Sequence, residues 1–271
     1  MDNIEKDYED FISTVSHELR TPLTSIRGFS QTMLSSWDKL DDENKKKFIK
    51  IIEDQSNRLI HLVENMLSVT KLQGKNNFVF SEISAKSYIE QVISVVKSQY
   101  PQHNFELNYK DNTPNIFVDK DKFQQIMTNL IENSAKYSVE SDITKINTKI
   151  DNNRVIIEVS NIGIDIPEQD QDKIFTKFAR IDNPLTRKVQ GSGLGLYITK
   201  YLVEKMHGKI SVKSEKIQNS EYSNITFSVE FPILNIEEQA RMKCSQLLSL
   251  LIKGLNYQPN IKSFLNLKQT V

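Results

Sequence analysis

Two stretches of the chain carry apolar residues at alternating steps of four and three, the spacing of a seam along one side of a helix. The first runs Val15, Leu19, Pro22, Ile26, Phe29, Met33, and the second Phe48, Ile52, Leu59, Leu62, Met66, Val69 with Gln55 in register. Each predicts one long helix, the first ending near Ser35 and the second at Gln73-Gly74. Residues 36–44 are polar, with Asp41 or Asp42 suited to cap the second helix. Two such helices joined by a short connection form an antiparallel hairpin. With one seam each, they make a marginal core on their own. The hairpin either packs on its own chain or pairs with a second copy into a four-helix bundle, and a homodimer is the better solution.

Beyond a polar, glycine-containing linker at residues 73–77 the pattern changes. Phe78 to Phe80 predicts a short strand, and Ala85 to Gln99 a helix burying Tyr88, Val92, Val95 and Val96. Asn104 to Tyr109 and Asn115 to Val118 read as strands, and Asp119 to Tyr137 as a helix. Thr144 to Ile150 and Arg154 to Ser160 alternate as neighbouring strands turned by Asp151-Asn152-Asn153. Ser192 to Met206 is helical, and Lys209 to Lys213 with Ile225 to Phe231 forms a closing hairpin. Strands in one run with several helices give an α+β two-layer sandwich with one helical layer. The expected plan is a helical hairpin at residues 1–72, the linker, a sandwich at 78–232, and an extension at 233–271. Within that extension Glu237 to Lys253 suits an amphipathic helix that docks on the sandwich or on a partner.

At 271 residues and 38% hydrophobic content the chain can bury two ordinary cores. Lys+Arg and Asp+Glu are 35 each, and a net charge of zero argues against nucleic acid as the main partner. The single cysteine, Cys244, excludes an internal disulfide and a cysteine-based zinc site. No stretch approaches the roughly 18 apolar residues of a membrane span, and no signal peptide is apparent at Met1. The expectation is a soluble chain without a direct membrane span. Heavy use of Lys, Asn and Ile suits an AT-rich genome, hence bacterial cytoplasm or plastid stroma.

At about 100° per residue, His17 lies roughly 200° round from Val15, on the wet face with Thr21 and Thr24, and Glu18 beside it. An exposed imidazole whose one nitrogen can hydrogen-bond a carboxylate has a more basic second nitrogen, which makes it a nucleophile. An ordinary surface histidine has the same placement. Pro22 cannot donate to the carbonyl of Glu18 and is expected to bend the helix there. The string His17-Glu18-Leu19-Arg20-Thr21-Pro22-Leu23-Thr24 resembles the H-box of the sensor histidine kinases of two-component systems. That resemblance implies that His17 is phosphorylated and that Glu18 is its hydrogen-bond acceptor or base. It also implies that Thr21 orients water for the reverse dephosphorylation.

Asn129, Asn133 and Lys136 share one face of their helix, and amide oxygens suit Mg²⁺ as a lysine suits phosphate. A solvated helix face would look alike. Asn129-Leu130-Ile131-Glu132-Asn133-Ser134-Ala135-Lys136-Tyr137-Ser138 resembles the N-box of the same family. The resemblance implies a Bergerat-type ATP-binding domain in which Asn133 holds Mg²⁺, Asn129 and Lys136 address phosphates, and Tyr137 packs on the nucleoside. Gly191-Ser192-Gly193-Leu194-Gly195-Leu196 opens a helix, and alternating glycines let a backbone approach phosphate closely. It resembles the second glycine box, with Phe175 to Arg180 as the F-box and Ile181 to Gln190 as a lid carrying Arg187 and Lys188.

The first glycine box departs from the family pattern. Asn161 stands where the family has an aspartate that accepts from the adenine amino group, and Asp165 replaces a glycine two residues beyond Gly163. Losing the charge-assisted bond costs about 1–3 kcal/mol, or roughly 5- to 150-fold in affinity. If position 165 needs positive φ, Asp165 adds about 1–2 kcal/mol, and its carboxylate would repel phosphates. The resemblance covers about Asp7 to Pro232 and implies an ATP- and Mg²⁺-dependent kinase that autophosphorylates His17 and passes the phosphoryl group to an aspartate of a response-regulator receiver domain. The alternative is a pseudokinase or regulator phosphatase weakened by Asn161 and Asp165. Chaperone and DNA-remodelling ATPases share the nucleotide fold, but the phosphoacceptor helix disfavours them. Such a chain is either part of a longer kinase or receives its signal through another protein.

Overall fold

The computed structural model describes residues 2–73, 78–139, 142–179 and 193–234, with isolated helical positions at 237, 238, 241 and 244; at 2–11 and 70–73 it describes the backbone alone. The two seams form helices α1 (Asp2–Ser36) and α2 (Asp42–Gln73), with a 3₁₀ turn at Trp37–Lys39 between them. Asp41 is the cap of α2: its carboxylate accepts from the Asn44 N–H at 2.7 Å. The hairpin is antiparallel, and Phe29 meets Phe48 at 5.1 Å near its tip. α1 runs on through Pro22, which is buried against α2's side of the hairpin. The seams are only partly covered, since Val15, Leu19, Ile26 and Phe29 remain half-buried.

The second half is a two-layer α+β sandwich. β2 (Asn104–Asn108), β4 (Ile143–Asp151), β5 (Arg154–Ile164), β7 (Tyr222–Pro232) and β6 (Lys209–Lys216) form one sheet in that order. Only the β2–β4 pair is parallel. Asn152 and Asn153, both at positive φ, make the tight turn that registers Asp151 opposite Arg154. α3 (Ala85–Gln99), α4 (Lys120–Lys136) and α6 (Gly195–Lys205) cover one face, with the short α5 (Glu168–Gln171) and a 3₁₀ turn (Lys173–Phe175) at its edge. Phe123 is the keystone of the layer, edge-on to both Tyr88 and Phe231.

A ribbon of β1 (Phe80–Ile83) against β3 (Ile116–Asp119) leads into α4. Asp119 caps α4, accepting from the N–H groups of Asp121 and Lys122, and its second oxygen takes the Val79 N–H at 2.8 Å. That last bond holds residue 79 outside the ladder, so the strand expected at Phe78 to Phe80 begins at Phe80 instead. Val95 also departs from expectation: it is 53% exposed, on the outer side of α3. The end of α2 belongs to the sandwich, because Val69 is buried in its core and Met66 packs against it. This weld ties the end of the hairpin to the sandwich. The linker residues 74–77, and most of the helix expected at Glu237 to Lys253, lie outside the described residues.

Candidate functional site

A cleft of about 1010 Å³ lies between the hairpin and the sandwich, bounded by α2 on one side and α4 with the start of α6 on the other. Asn129, Asn133, Lys136 and Tyr137 reach it from α4, Asn161 and Gly163 from β5, and Gly193 and Gly195 from the α6 entry. Eight residues scattered over three motifs therefore share one wall. The apolar positions of α4, Phe123 to Ile131, are fully buried, so the amide face has only the cleft to look into.

The wall is held by close polar contacts. Asn129 donates from Nδ2 to Thr199 Oγ1 of α6 at 2.8 Å. A Cβ on Gly195 would collide with Asn129 Oδ1, which explains the glycine. Gly193 has φ of +66°, and a Cβ there would sit 2.7 Å from the backbone of Phe178. These glycines bring the N-terminus of α6, with its outward N–H groups, to the cleft, a site that favours phosphate. Gly163 lets the Tyr137 carbonyl and the Asn161 amide approach, each about 3 Å from where its Cβ would be. The resemblance to the second glycine box makes Leu194 a nucleotide-binding position, but its side chain is fully buried in the sandwich core, leaving only its backbone for any ligand. Gly191, the lid from Ile181 to Gln190, and Arg187 and Lys188 lie outside the described residues.

Asn161 is 6% exposed and donates from Nδ2 to the Ile162 carbonyl at 3.2 Å, which leaves its Oδ1 as a neutral acceptor at the cleft. Asp165 overturns two expectations. It is not at positive φ, so the backbone carries no penalty there. Its carboxylate accepts from Ser214 Oγ at 2.6 Å and Ser223 Oγ at 2.9 Å, turning toward β6 and β7 instead of lining the cleft. Those hydroxyls hold it below the ordinary carboxylate range, Ser214 contributing most.

On the opposite wall, Glu18 of α1 and Arg58 of α2 line the same cleft. Arg58 Nη2 reaches Glu18 Oε2 at 3.2 Å, while Glu18 Oε1 is 4.0 Å from His17 Nδ1. The His17 side chain is 77% exposed, as the helical wheel predicts, and it stands beside the cleft and not in its lining. Thr21 is exposed on the same face and donates from its hydroxyl to the His17 carbonyl at 3.3 Å. Sequence inspection missed Arg58 and Glu132. Arg58 and Glu18 each precede a seam leucine (Leu59 and Leu19), the flanking positions from which opposite charges pair across two helices, and that signal was readable. Glu132 faces the cleft, where burial pushes its carboxyl up against the opposing pull of His61 and Lys136.

Comparison with known proteins bears on this arrangement directly. The His Kinase A (phospho-acceptor) domain matches residues 7–75, and the histidine kinase-, DNA gyrase B- and HSP90-like ATPase domain matches residues 118–234. The chain belongs to the histidine kinase family. The chain is 34% identical over 221 residues to the signal transduction histidine-protein kinase ArlS of Staphylococcus aureus, a match over 79% of this chain and 48% of ArlS. It thus spans about half the length of the curated relatives it matches. Among solved structures it superposes on the histidine kinase ThkA, in complex with the response regulator protein TrrA, with TM-score 0.63 at 25% identity, over 83% of this chain and 61% of that one. Acinetobacter baumannii AdeS has the same fold at TM-score 0.60 and 22% identity, over 81% and 98%. Among the described residues no helix is long and apolar enough to cross a membrane.

Proposed function

We propose that the chain is an ATP-dependent protein-histidine kinase that phosphorylates its own His17 and hands the phosphoryl group to an aspartate of a response-regulator receiver domain. The observation that carries this is the single cleft with an amide-and-glycine wall on the sandwich and Glu18 on the hairpin. ATP enters with its base toward Asn161 and Gly163 and its phosphates toward Asn129, Lys136 and the N-terminus of α6. His17 Nε2 attacks the γ-phosphorus in line, the bond to the β,γ-bridging oxygen breaks, and ADP leaves with that electron pair. The Nδ1 proton passes to Glu18, which leaves a neutral imidazole ring bearing the anionic phosphoryl group on Nε2. Rate comes mostly from positioning and charge placement. Thr21 remains the residue to orient water for the reverse hydrolysis.

Among the described residues no cluster of His, Cys, Asp and Glu could hold a metal by itself. Mg²⁺ keeps waters and substrate phosphates as ligands and so needs few protein oxygens. Asn133 directs Nδ2 toward Asn129 at 3.5 Å, so its amide oxygen is the group to hold the ion. When bound, Mg²⁺ neutralises charge on the phosphates.

The same reading divides the chain into phosphoacceptor hairpin, linker, ATP-binding sandwich and an extension from residue 233. It pairs two hairpins into a four-helix bundle, which the exposed Ile60, Val63 and Leu67 support. Bacterial relatives favour bacterial cytoplasm over plastid stroma. The pseudokinase alternative loses one of its two supports, because Asp165 turns away from the cleft. Incubation with γ-labelled ATP and Mg²⁺ is the test. Acid-labile, base-stable label on the wild type and none on His17→Gln is the expected result. An unlabelled wild type at millimolar ATP overturns the proposal.

A further inference from the structure

Arg58 lies 40 residues from Glu18 in sequence and on the other helix of the hairpin, yet the two meet at 3.2 Å with only 22% and 21% of their side chains exposed. The carboxylate is used at both ends. Oε2 faces the guanidinium, and Oε1 faces His17 Nδ1 at 4.0 Å, longer than a hydrogen bond. A free glutamate on a helix surface samples several rotamers, and only some of them point an oxygen at the neighbouring imidazole. A guanidinium is a rigid planar donor, charged at every relevant pH, and so fixes both the position and the orientation of the carboxylate it binds. Asp54, one turn back on α2, is occupied by Lys50 at 3.1 Å. Arg58 is therefore set against the acid beside the phosphoacceptor, inside the cleft that the nucleotide wall faces.

We propose that Arg58 is a positioning residue that reaches across the hairpin to hold the Glu18 carboxylate against His17 Nδ1, fixing the Nδ1–H tautomer and presenting Nε2 to the phosphoryl group. It acts through Glu18 and leaves nucleotide binding to the sandwich. Its catalytic consequence rests on the kinase reading above; its effect on the His17 ring does not.

Two measurements on the full chain separate those levels. The imidazole ¹⁵N spectrum of His17 reports the tautomer without any turnover. Arg58→Gln is expected to shift the ring nitrogens as Glu18→Gln does, and Arg58→Lys to shift them less; a ring that responds to Glu18→Gln but ignores Arg58→Gln overturns the proposal. In γ-labelled ATP assays, Arg58→Gln is expected to slow labelling roughly 10- to 100-fold, the scale of a small misplacement of reacting groups, with KM for ATP within about twofold and partial rescue in Arg58→Lys. In the Glu18→Gln background, Arg58→Gln is expected to cost nothing further. A loss of the same size in that background, or one carried by KM, means that Arg58 merely supports the fold, and the proposal fails. If the wild type takes no label while the ring still responds to both variants, the kinase reading has failed and the positioning contact has not.

Discussion

On α4 of the sandwich, Phe123, Ile126, Met127, Leu130 and Ile131 are all fully buried; on the hairpin, Leu34, Ile49, Ile60, Val63 and Leu67 stand 45% to 85% exposed. Both regions carry clean helical periodicity, so the difference lies in what covers each seam. The sandwich covers its helices with a five-stranded sheet from the same chain. The hairpin has only two helices to cover each other, and of its described apolar side chains Pro22, Met33 and Leu62 are buried within it, while Val69 is buried by the sandwich. Periodicity alone establishes that a helix has an apolar side; it does not say which molecule covers that side. One region is closed by its own sequence, and the other leaves large apolar side chains that its own two helices do not cover.

The sharpest way to break that contrast is to damage each core in turn. Phe123→Ala removes a fully buried ring from the centre of the sandwich and is expected to cost about 3–5 kcal/mol. Urea unfolding followed by the near-ultraviolet signal of the sandwich should reveal this, at a midpoint that does not move with protein concentration. Ile60→Ser with Leu67→Ser should leave that transition in place and convert a dimer to a monomer in sedimentation. A wild type that stays monomeric at high concentration would remove the contrast altogether.

The next effect belongs to the sandwich alone. Asn161→Asp restores a charged acceptor for the adenine amino group and is expected to tighten ATP binding, toward the lower end of roughly 5- to 150-fold. The gain is reduced because aspartate cannot keep the donated bond to the Ile162 carbonyl, a loss of about 1 kcal/mol that should also lower Tm. Calorimetric titration checks the affinity, and self-association should not change. Unchanged affinity would mean that Asn161 does not meet the base.

What the sequence revealed and what it hid follow one rule. Groups tied by local geometry were legible: the seams, the Asn152-Asn153 turn, the Asn129, Asn133 and Lys136 face, and the exposure of His17. Groups whose partner lies far along the chain were not. The positions of Glu18 and Arg58 beside their seams hint at a pair, but whether the two meet depends on how the helices are packed, and the orientation of Asp165 depends on serines 49 and 58 residues away. Val95, in an otherwise correct helix, is 53% exposed, and helical spacing alone did not separate it from the buried Val92 and Val96. Asp165 is the instructive case, because its identity argued for a carboxylate facing the cleft and its surroundings turn it toward Ser214 and Ser223.

That case gives the smallest expected effect. Asp165→Gly should leave ATP affinity within about twofold, since the carboxylate faces Ser214 and Ser223 and lies outside the cleft lining. Its trace should appear in the pH dependence of stability. The serine hydroxyls bind the charged form, so the folded state holds this carboxyl below its ordinary value of 3.8 while the unfolded chain does not. In the window between the two values the unfolded chain binds more protons, and stability rises with pH. The contribution is fully present above the ordinary carboxylate range and is lost as pH falls through the lowered value. Asp165→Asn should therefore flatten the acid end of the stability curve and leave its neutral region parallel to wild type. Should Asp165→Gly instead tighten ATP binding severalfold, the carboxylate would be acting on the phosphates after all, and the sandwich would not have absorbed its own substitution.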